Sequence, residues 1–361
     1  MRAAVLHTIP GRPEVVEVEI AAPGAHEVLV RTAAAGLCGS ELNLIDGRIT
    51  RSAPLVLGHE AAGVVEAVGA EITGLAAGDH VVACVSVSCG ACRFCLTGEL
   101  WLCRDKARTA RGPGEAPRLR LAAGGAALSA MGYVGAFAER MLVHERSLVR
   151  IPAEVPLDRA ALLGCAVTTG IGAVQRAAGL RPGETAAVIG CGGVGLNVVQ
   201  GARLAGAARI MAVDTSAEKL ELARRFGATD LVLAADDPVA EVRRRSVGGV
   251  DHAFEAVGSP ATVAQAFAMA RAGGTAYVIG VLPEDAEVVL PASAFLEGRG
   301  VRGVYMGANR FAVDVPRYVE LYRQGRLLLD ELISQRIELH DVAAAYDRLR
   351  RGQAARAVIV F

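Results

Sequence analysis

The sequence predicts an α/β protein in two parts, one β-rich and one built on a doubly wound parallel sheet, and three observations carry that expectation. From about residue 166, apolar strand-like runs alternate with helical stretches, the texture of βαβ units in a parallel sheet. The first such run, "TAAVIG", leads directly into "CGGVG" and a helical pattern. Residues 1 to about 85 instead break into short alternating segments separated by Gly, Pro and Asp, the signal of a compact β-rich part. With 361 residues, 52% of them hydrophobic, the chain exceeds the roughly 250–300 residues at which a single core stops growing, so two domains are expected.

Taken in order, "MRAAVLHTIPGRPEVVEVEI" alternates like strands and lacks the apolar region and small-residue cleavage site of a signal peptide. "EVLVRTAAAG", "AAGVVEAVG" and "DHVVACVSV" read as further strands. Residues 104–130, rich in Gly, Arg and Pro and without clear period, are expected to be a long solvated excursion. Then come "TAAVIG", "GLNVVQGARLAG", "RIMAVD", "AEKLELARRFG", "HAFEAVG" and "TAYVIGV", strand and helix in turn. After about 305 there are two helical stretches, "VPRYVELYRQGRL" and "VAAAYDRLRRG", and a terminal strand "AVIVF".

Lys+Arg and Asp+Glu each number 38, so no long-range field recruits nucleic acid or an anionic membrane, and a small neutral substrate fits better. No apolar run reaches the ~20 residues of a membrane span. A soluble, cytoplasmic protein is expected. In such a reducing compartment, cysteines at fixed short spacing point to metal rather than to disulfides.

The glycines of "GCGGVG", Gly190, Gly192 and Gly195, have GxGxxG spacing between an apolar strand and a helix. The first makes the tight turn, the second lets backbone approach a pyrophosphate, and the third lets helix pack on strand. The helix N-terminus then offers free N–H groups to the phosphates. Asp214 ends the next strand, where a carboxylate accepts both ribose hydroxyls and repels a 2′-phosphate, so NAD is expected over NADP.

Cys89, Cys92, Cys95 and Cys103 fall at C-x2-C-x2-C-x7-C and can close a tetrahedral shell around Zn²⁺, which leaves no open position and makes that ion structural. An Fe–S cluster or a redox dithiol are the alternatives. A reacting metal needs ligands elsewhere: Cys38 in "GLCGSELN", His59 and Glu60 in "LGHEAAG", and Cys165 in "LLGCAVTTG". Two thiolates and an imidazole hold zinc at net neutral charge with a fourth position open. Each of these residues alone also has an ordinary reading, as a small buried hydrophobe or a hydrogen-bonded core histidine.

Together "GHEAAGVVEAVG", the cysteine lobe, "GCGGVG" and Asp214 resemble the zinc-dependent alcohol dehydrogenases of the medium-chain dehydrogenase/reductase family, along essentially the whole chain. The resemblance implies a GroES-like β-rich catalytic domain, residues 1–166 and 305–361, interrupted by a Rossmann NAD-binding domain at 167–304, with the active-site cleft between them. It implies two Zn²⁺ per chain: a catalytic ion on Cys38, His59 and Cys165, with Glu60 as an occasional ligand, and a structural ion in the lobe 89–103. Ser40 takes the alcohol proton into a relay. Gly190, Gly192, Gly193, Val194 and Gly195 form the cofactor loop, Lys219 contacts the adenosine ribose beside Asp214, Arg356 reaches the pyrophosphate, and Thr169 lies beside the nicotinamide. The implied reaction is hydride transfer between an alcohol and NAD, giving an aldehyde or ketone.

Cys165 tilts the resemblance toward the alcohol dehydrogenase branch rather than the polyol enzymes. The stretch after Cys103 looks like the branch of animal-type and glutathione-dependent formaldehyde enzymes, so a homodimer is expected, with a tetramer as the alternative. Two positions depart from the family. Glu41 stands where Asp usually orients the zinc-bound His, and Asn43 stands where many members have a proton-passing His. Val85 falls near an aromatic pocket residue of animal-type relatives, which points to a pocket wider than one built for ethanol. A zinc-free reductase of the same fold, acting on an activated C=C or imine, and a non-catalytic NAD-binding module are the competing readings; metal content separates them, two zinc per chain against one.

Overall fold

A computed structural model describes residues 1–112, 114–235, 237–352 and 356–361. Pro113 in the 104–130 stretch and residues 353–355 beside Arg356 lie outside the described residues. The chain forms two compact units, Met1–Cys165 with Arg310–Phe361, and Ala166–Asn309.

The first unit contributes β1 (Arg2–Leu6), β2 (Glu14–Ile20), β3 (Glu27–Gly36), β4 (Leu55–Val56), β5 (Glu60–Val68), β6 (His80–Cys84), β7 (Leu119–Leu121), β8 (Ala127–Ala130), β9 (Arg140–His144) and β10 (Leu148–Ile151). The second contributes β11 (Thr185–Ile189), β12 (Arg209–Asp214), β13 (Asp230–Leu233), β14 (Val250–Glu255), β15 (Ala270–Val278) and β16 (Gly300–Gly303). The chain then returns to the first with β17 (Gln335–Ile337) and β18 (Ala357–Val360).

In the first unit, β1-β2-β7-β8-β4 close a barrel, and a second sheet runs β10-β6-β5-β3-β18-β17 with β9 on β3. The alternating apolar positions of β3, β5 and β6 face inward, where Val28, Val30, Ala61, Val81 and Ala83 share a core with Phe137 and Tyr346. That is the period-two burial expected of a half-buried strand. β18 lies antiparallel to β3, Val358 opposite Gly36, and so brings the C-terminal segment into the middle of this sheet.

The stretch 104–130 corrects the expectation of a solvated excursion. Its strands β7 and β8 complete the barrel, Val18 opposite Leu121 and Leu55 opposite Ser129, and its Leu119 and Leu128 pack with Ala3, Val5 and Val18. Two of its arginines turn inward as well: Arg111 Nη2 and Arg118 Nε each lie 2.6 Å from a carboxylate oxygen of Glu27. Strands of three and four residues are too short to show a period, and their partners are distant in sequence.

The second unit is a six-stranded, fully parallel sheet in the order β13-β12-β11-β14-β15-β16. This is the doubly wound order whose strand direction of growth reverses beside the first strand, and ligands bind outside the carboxyl ends of the strands at that point. The near-continuous apolar runs of β11 and β12 are buried on both faces, as a parallel sheet requires. Among the described residues no single helix is long and apolar enough to cross a membrane.

Candidate metal centres and nucleotide site

Cys38, His59 and Cys165, far apart in the chain, present Sγ, a ring nitrogen and Sγ within 4.8 Å of one another, all three buried. Each is placed by a local feature. Cys38 precedes the helix Gly39–Ile45 in extended conformation, φ −120° and ψ 155°. Glu41, third residue of that helix, accepts the Cys38 backbone N–H through Oε2 at 3.1 Å, half of the reciprocal arrangement that fixes helix starts. His59 stands just before β5, and Cys165 follows the short 3₁₀ turn Leu162–Gly164.

Glu41, standing where the family usually has Asp, also reaches the histidine despite its extra methylene. Its Oε1 lies 2.5 Å from His59 Nδ1, which leaves Nε2 facing Cys165 Sγ at 3.2 Å. A carboxylate on one ring nitrogen fixes the ring orientation and the tautomer of a metal-binding histidine. Sharing a proton with Cys165 holds the Cys38 thiol well below its ordinary range, against burial and with help from Arg356 and His59. Burial works against a charged His59, but Glu41 and the Cys38 sulfur raise it well above the usual value. The shared proton with Cys38, together with burial, conversely holds the Cys165 thiol well above its ordinary range; as a donor set, two sulfurs and an imidazole suit a borderline-soft divalent cation such as Zn²⁺, whose binding would displace that proton.

Glu60, whose backbone pairs with Cys84 of β6, does not point a bare carboxylate at this trio. Its Oε2 is ion-paired with the Arg356 guanidinium. Arg356 is itself buried, its backbone pinned in both directions to the Ser334 hydroxyl. Burial works against that cation, yet Glu60, Cys38 and Cys165 together raise its pKa. Ser40 Oγ is buried without a hydrogen-bond partner. Asn43 offers its carbonyl to the N–H groups of Arg48 and Ile49. Val85 lies beside His59: a side chain at Gly132 would meet Val85 Cγ2 at 2.7 Å and His59 Cβ at 3.3 Å.

The second cluster is local. Sγ atoms of Cys89, Cys92, Cys95 and Cys103 lie within 4.8 Å of one another. The N–H of Cys89 points at Cys103 Sγ and the N–H of Cys92 at Cys89 Sγ, both at 3.3 Å. Such N–H···S contacts favour thiolates. Cys92 is held down at about 6, first by the Cys95 backbone N–H, whereas burial pushes Cys95 up to about 12. Arg146 clamps the loop from outside through the Cys89 carbonyl. Four sulfurs in one shell leave no place for a substrate.

In the second unit, Gly190, Gly192, Gly193, Val194 and Gly195 join β11 to the helix Gly193–Ala205. A Cβ on Gly195 would lie 1.7 Å from the Gly190 carbonyl oxygen, whereas one on Gly192 would meet nothing within 4 Å. One glycine is thus needed for packing and the other faces open space, as a phosphate-approaching glycine must. Asp214 closes β12 and ties the loop down, taking the Cys191 N–H on Oδ2 at 2.7 Å and the Ser216 N–H on Oδ1 at 2.9 Å. Each oxygen keeps a second lone pair for a ribose hydroxyl. Lys219, in the helix Ala217–Phe226, sends its backbone N–H to the Ser216 hydroxyl. These residues fit NAD.

Thr169, in the buried helix Ala166–Gly172, directs its hydroxyl to Met306 Sδ at 3.6 Å. Met306 and Ala308 stand at φ 48° and 51° with Gly307 between them at 64°. Left-handed backbone at residues other than glycine is strained and concentrates at functional sites. Only Gly307 hinted at it in the sequence. Tyr346, buried beside the first trio, was likewise missed, since an apolar helix face hides a polar tip.

Two family descriptions match the chain: an alcohol dehydrogenase GroES-like domain over residues 24–153 and a zinc-binding dehydrogenase over 193–322. The chain is 40% identical over 365 residues to an NDMA-dependent alcohol dehydrogenase of Amycolatopsis methanolica, covering 99% of this chain and 98% of that protein. It is 37% identical over 366 residues to an S-(hydroxymethyl)glutathione dehydrogenase of Synechocystis, covering 99% of each. Its fold superposes with TM-score 0.93 on the crystal structure of benzyl alcohol dehydrogenase from Acinetobacter calcoaceticus, at 30% identity, covering 100% of this chain and 99% of that one.

Proposed function

The chain belongs to the zinc-dependent alcohol dehydrogenases of the medium-chain dehydrogenase/reductase family, and from that premise we propose how its residues divide the work and which substrates it takes. It is an NAD-linked zinc oxidoreductase acting on alcohol- and aldehyde-type substrates. The observation that carries this is the convergence of Cys38, His59 and Cys165 within 4.8 Å in one buried cluster, with the four-cysteine lobe beside it in sequence but separate from it in ligands. A zinc-free reductase would have no need of the first cluster.

Cys38, His59 and Cys165 would hold a zinc ion that would supply Lewis acidity toward an alcohol oxygen, and the Gly190–Gly195 loop would hold NAD, which would supply the hydride acceptor. The chain's own residues do the rest. Ser40 Oγ, buried and without a partner, takes the alcohol proton. Glu41 holds the imidazole of His59 so that Nε2 faces the metal position. Arg356 neutralises Glu60 close to the sulfurs, which keeps a third negative group, beyond the two thiolates, from competing for the cation. Asp214 and Lys219 hold the adenosine ribose, and Thr169 with its Met306 partner sets the nicotinamide end.

For substrate, the proposal is a primary alcohol bulkier than ethanol, aromatic alcohols included. Val85, at a position where animal-type relatives place an aromatic residue, puts a small side chain near His59, and a structurally similar enzyme is named for benzyl alcohol. The active form is proposed to be a homodimer. β16 is the outer strand of its sheet, Val289, Leu296 and Val301 around it are exposed, and an unprotected apolar edge is normally paired. A cytoplasmic location agrees with eight free cysteines.

Metal analysis and an alcohol panel with NAD, with NDMA as a second oxidant, test the reading together. Two zinc ions per chain and faster turnover of benzyl alcohol than of ethanol are expected. One zinc ion, lost with the lobe, would overturn the reading; ethanol as the better substrate would overturn the substrate class alone. Ser40→Ala is expected to slow turnover by about 100-fold or more, and an unchanged rate removes it from the proton path.

A further inference from the structure

Glu41 keeps lone pairs to spare beyond its two observed contacts, and a buried phenol on a helix tied to its own has a hydroxyl with no partner. The carboxylate gives Oε1 to His59 Nδ1 and Oε2 to the Cys38 N–H and is 0% exposed, so no bulk water reaches it. An ionised carboxylate accepts about four hydrogen bonds, and a glutamate, with one more rotatable bond than an aspartate, needs more contacts to hold one orientation. Tyr346, in the helix Val342–Arg350, is 1% exposed. Its hydroxyl has no hydrogen-bond partner, a costly state for a buried donor. Its ring is fixed on the apolar side by Phe137, centroids 6.4 Å apart.

The two side chains belong to helices that are tied together. Arg350 of the second helix ion-pairs with Asp46, which caps the first, at 2.6 Å. The charges acting on the Tyr346 hydroxyl agree: after burial, the strongest influence is Glu41, and next is Cys38. A buried donor without an acceptor and a buried acceptor with spare capacity thus sit on one pair of helices tied by Arg350 and Asp46.

We propose that Tyr346 is a positioning residue for the His59 metal ligand: its phenol donates to the Glu41 carboxylate and locks it against His59 Nδ1. The chain Tyr346–Glu41–His59 then does with a longer carboxylate and a phenol what a shorter carboxylate does alone. Tyr346 touches neither substrate nor metal. It acts through the basicity and aim of the imidazole, so its effect is on retention of the catalytic ion.

This inference rests on the trio being a metal site, and the test keeps the two apart. Holoenzyme is exposed to a chelator, and loss of each zinc ion is timed, the four-cysteine lobe serving as internal control. Tyr346→Phe removes an unpartnered hydroxyl, so a purely structural tyrosine predicts an unchanged or higher melting midpoint and unchanged zinc loss. The expected result is about 10-fold faster loss of one zinc ion, with the other unaffected and the melting midpoint preserved. In a Glu41→Asp background, where the carboxylate draws back from the phenol, Tyr346→Phe is expected to have no further effect. Wild-type release from Tyr346→Phe, or an equal effect in both backgrounds, overturns the inference. Wild-type protein holding one zinc ion overturns the metal site itself.

Discussion

Arg356 and Glu60, brought together from opposite ends of the first unit, form a buried ion pair immediately behind the Cys38 and Cys165 sulfurs. Removing one partner leaves the other charge stranded in a low-dielectric interior, at a cost of about 3–5 kcal/mol, whereas removing both is far milder. Glu60→Gln and Arg356→Met are each expected to lower the melting midpoint markedly. The double variant is expected to recover most of the loss. Strictly additive losses in thermal unfolding would mean that the pair contributes nothing as a pair.

Glu27 sets a different pH signature. Burial raises its pKa, but hydrogen bonds from Arg111, Gly24 and Arg118 overcome that and lower it from 4.5 to about 2. A folded pKa below the unfolded one gives stabilisation that is complete above about 4.5 and disappears as pH falls toward 2. With Glu27 5% exposed, the contribution is roughly 2–3 kcal/mol. Glu27→Gln is expected to destabilise the protein near neutral pH and to flatten its acid unfolding curve. The same acid midpoint shift in variant and wild type would assign the transition to other carboxylates. Loss of this anchor also frees the 104–130 stretch, so faster proteolytic cleavage there is the second readout.

How much of this could be read beforehand follows from sequence distance. "EVLVRTAAAG" and "RIMAVD" coincide with β3 and β12 residue for residue, because burial on one or both faces writes itself into a local pattern. The glycine loop and the cysteine lobe are equally local. The helices Pro238–Arg245 and Pro260–Met269 passed unnamed, though each begins with a capping side chain, Asp237 and Ser259, and a proline. β7 and β8 were hidden by brevity and by arginines whose partner, Glu27, lies 84 and 91 positions away. The pairs Glu41–His59 and Glu60–Arg356 leave no mark in spacing, since only the fold of the first unit, with the return of β18 onto β3, brings them together.

The cysteine lobe is expected to be separable from the reacting metal. Cys103 is buried and its sulfur accepts the Cys89 N–H, so Cys103→Ser replaces a soft thiolate ligand by a neutral hydroxyl that holds Zn²⁺ poorly. Zinc content is expected to fall from two ions per chain to one, with the Cys38, His59 and Cys165 site still loaded. Elemental analysis and a slower, more aggregation-prone refolding are the measurements. Loss of both ions together would show that the lobe and the first cluster form one cooperative metal system.

Asp214 carries the most specific expectation for the cofactor. Its two oxygens each hold one backbone N–H, of Cys191 and of Ser216, so the carboxylate shapes the loop, and the proposed reading has it take the ribose hydroxyls as well. Asp214→Asn keeps one acceptor oxygen and discards the negative charge. The repulsion against a 2′-phosphate disappears, while one ribose hydroxyl and one loop N–H lose their acceptor. The KM for NAD is expected to rise by about 10-fold, equivalent to roughly 1.4 kcal/mol, and the KM for NADP to fall, with kcat for NAD changing less than KM. Equal changes for both cofactors would confine Asp214 to holding the loop; an unchanged NAD to NADP ratio with intact affinity would remove it from cofactor recognition.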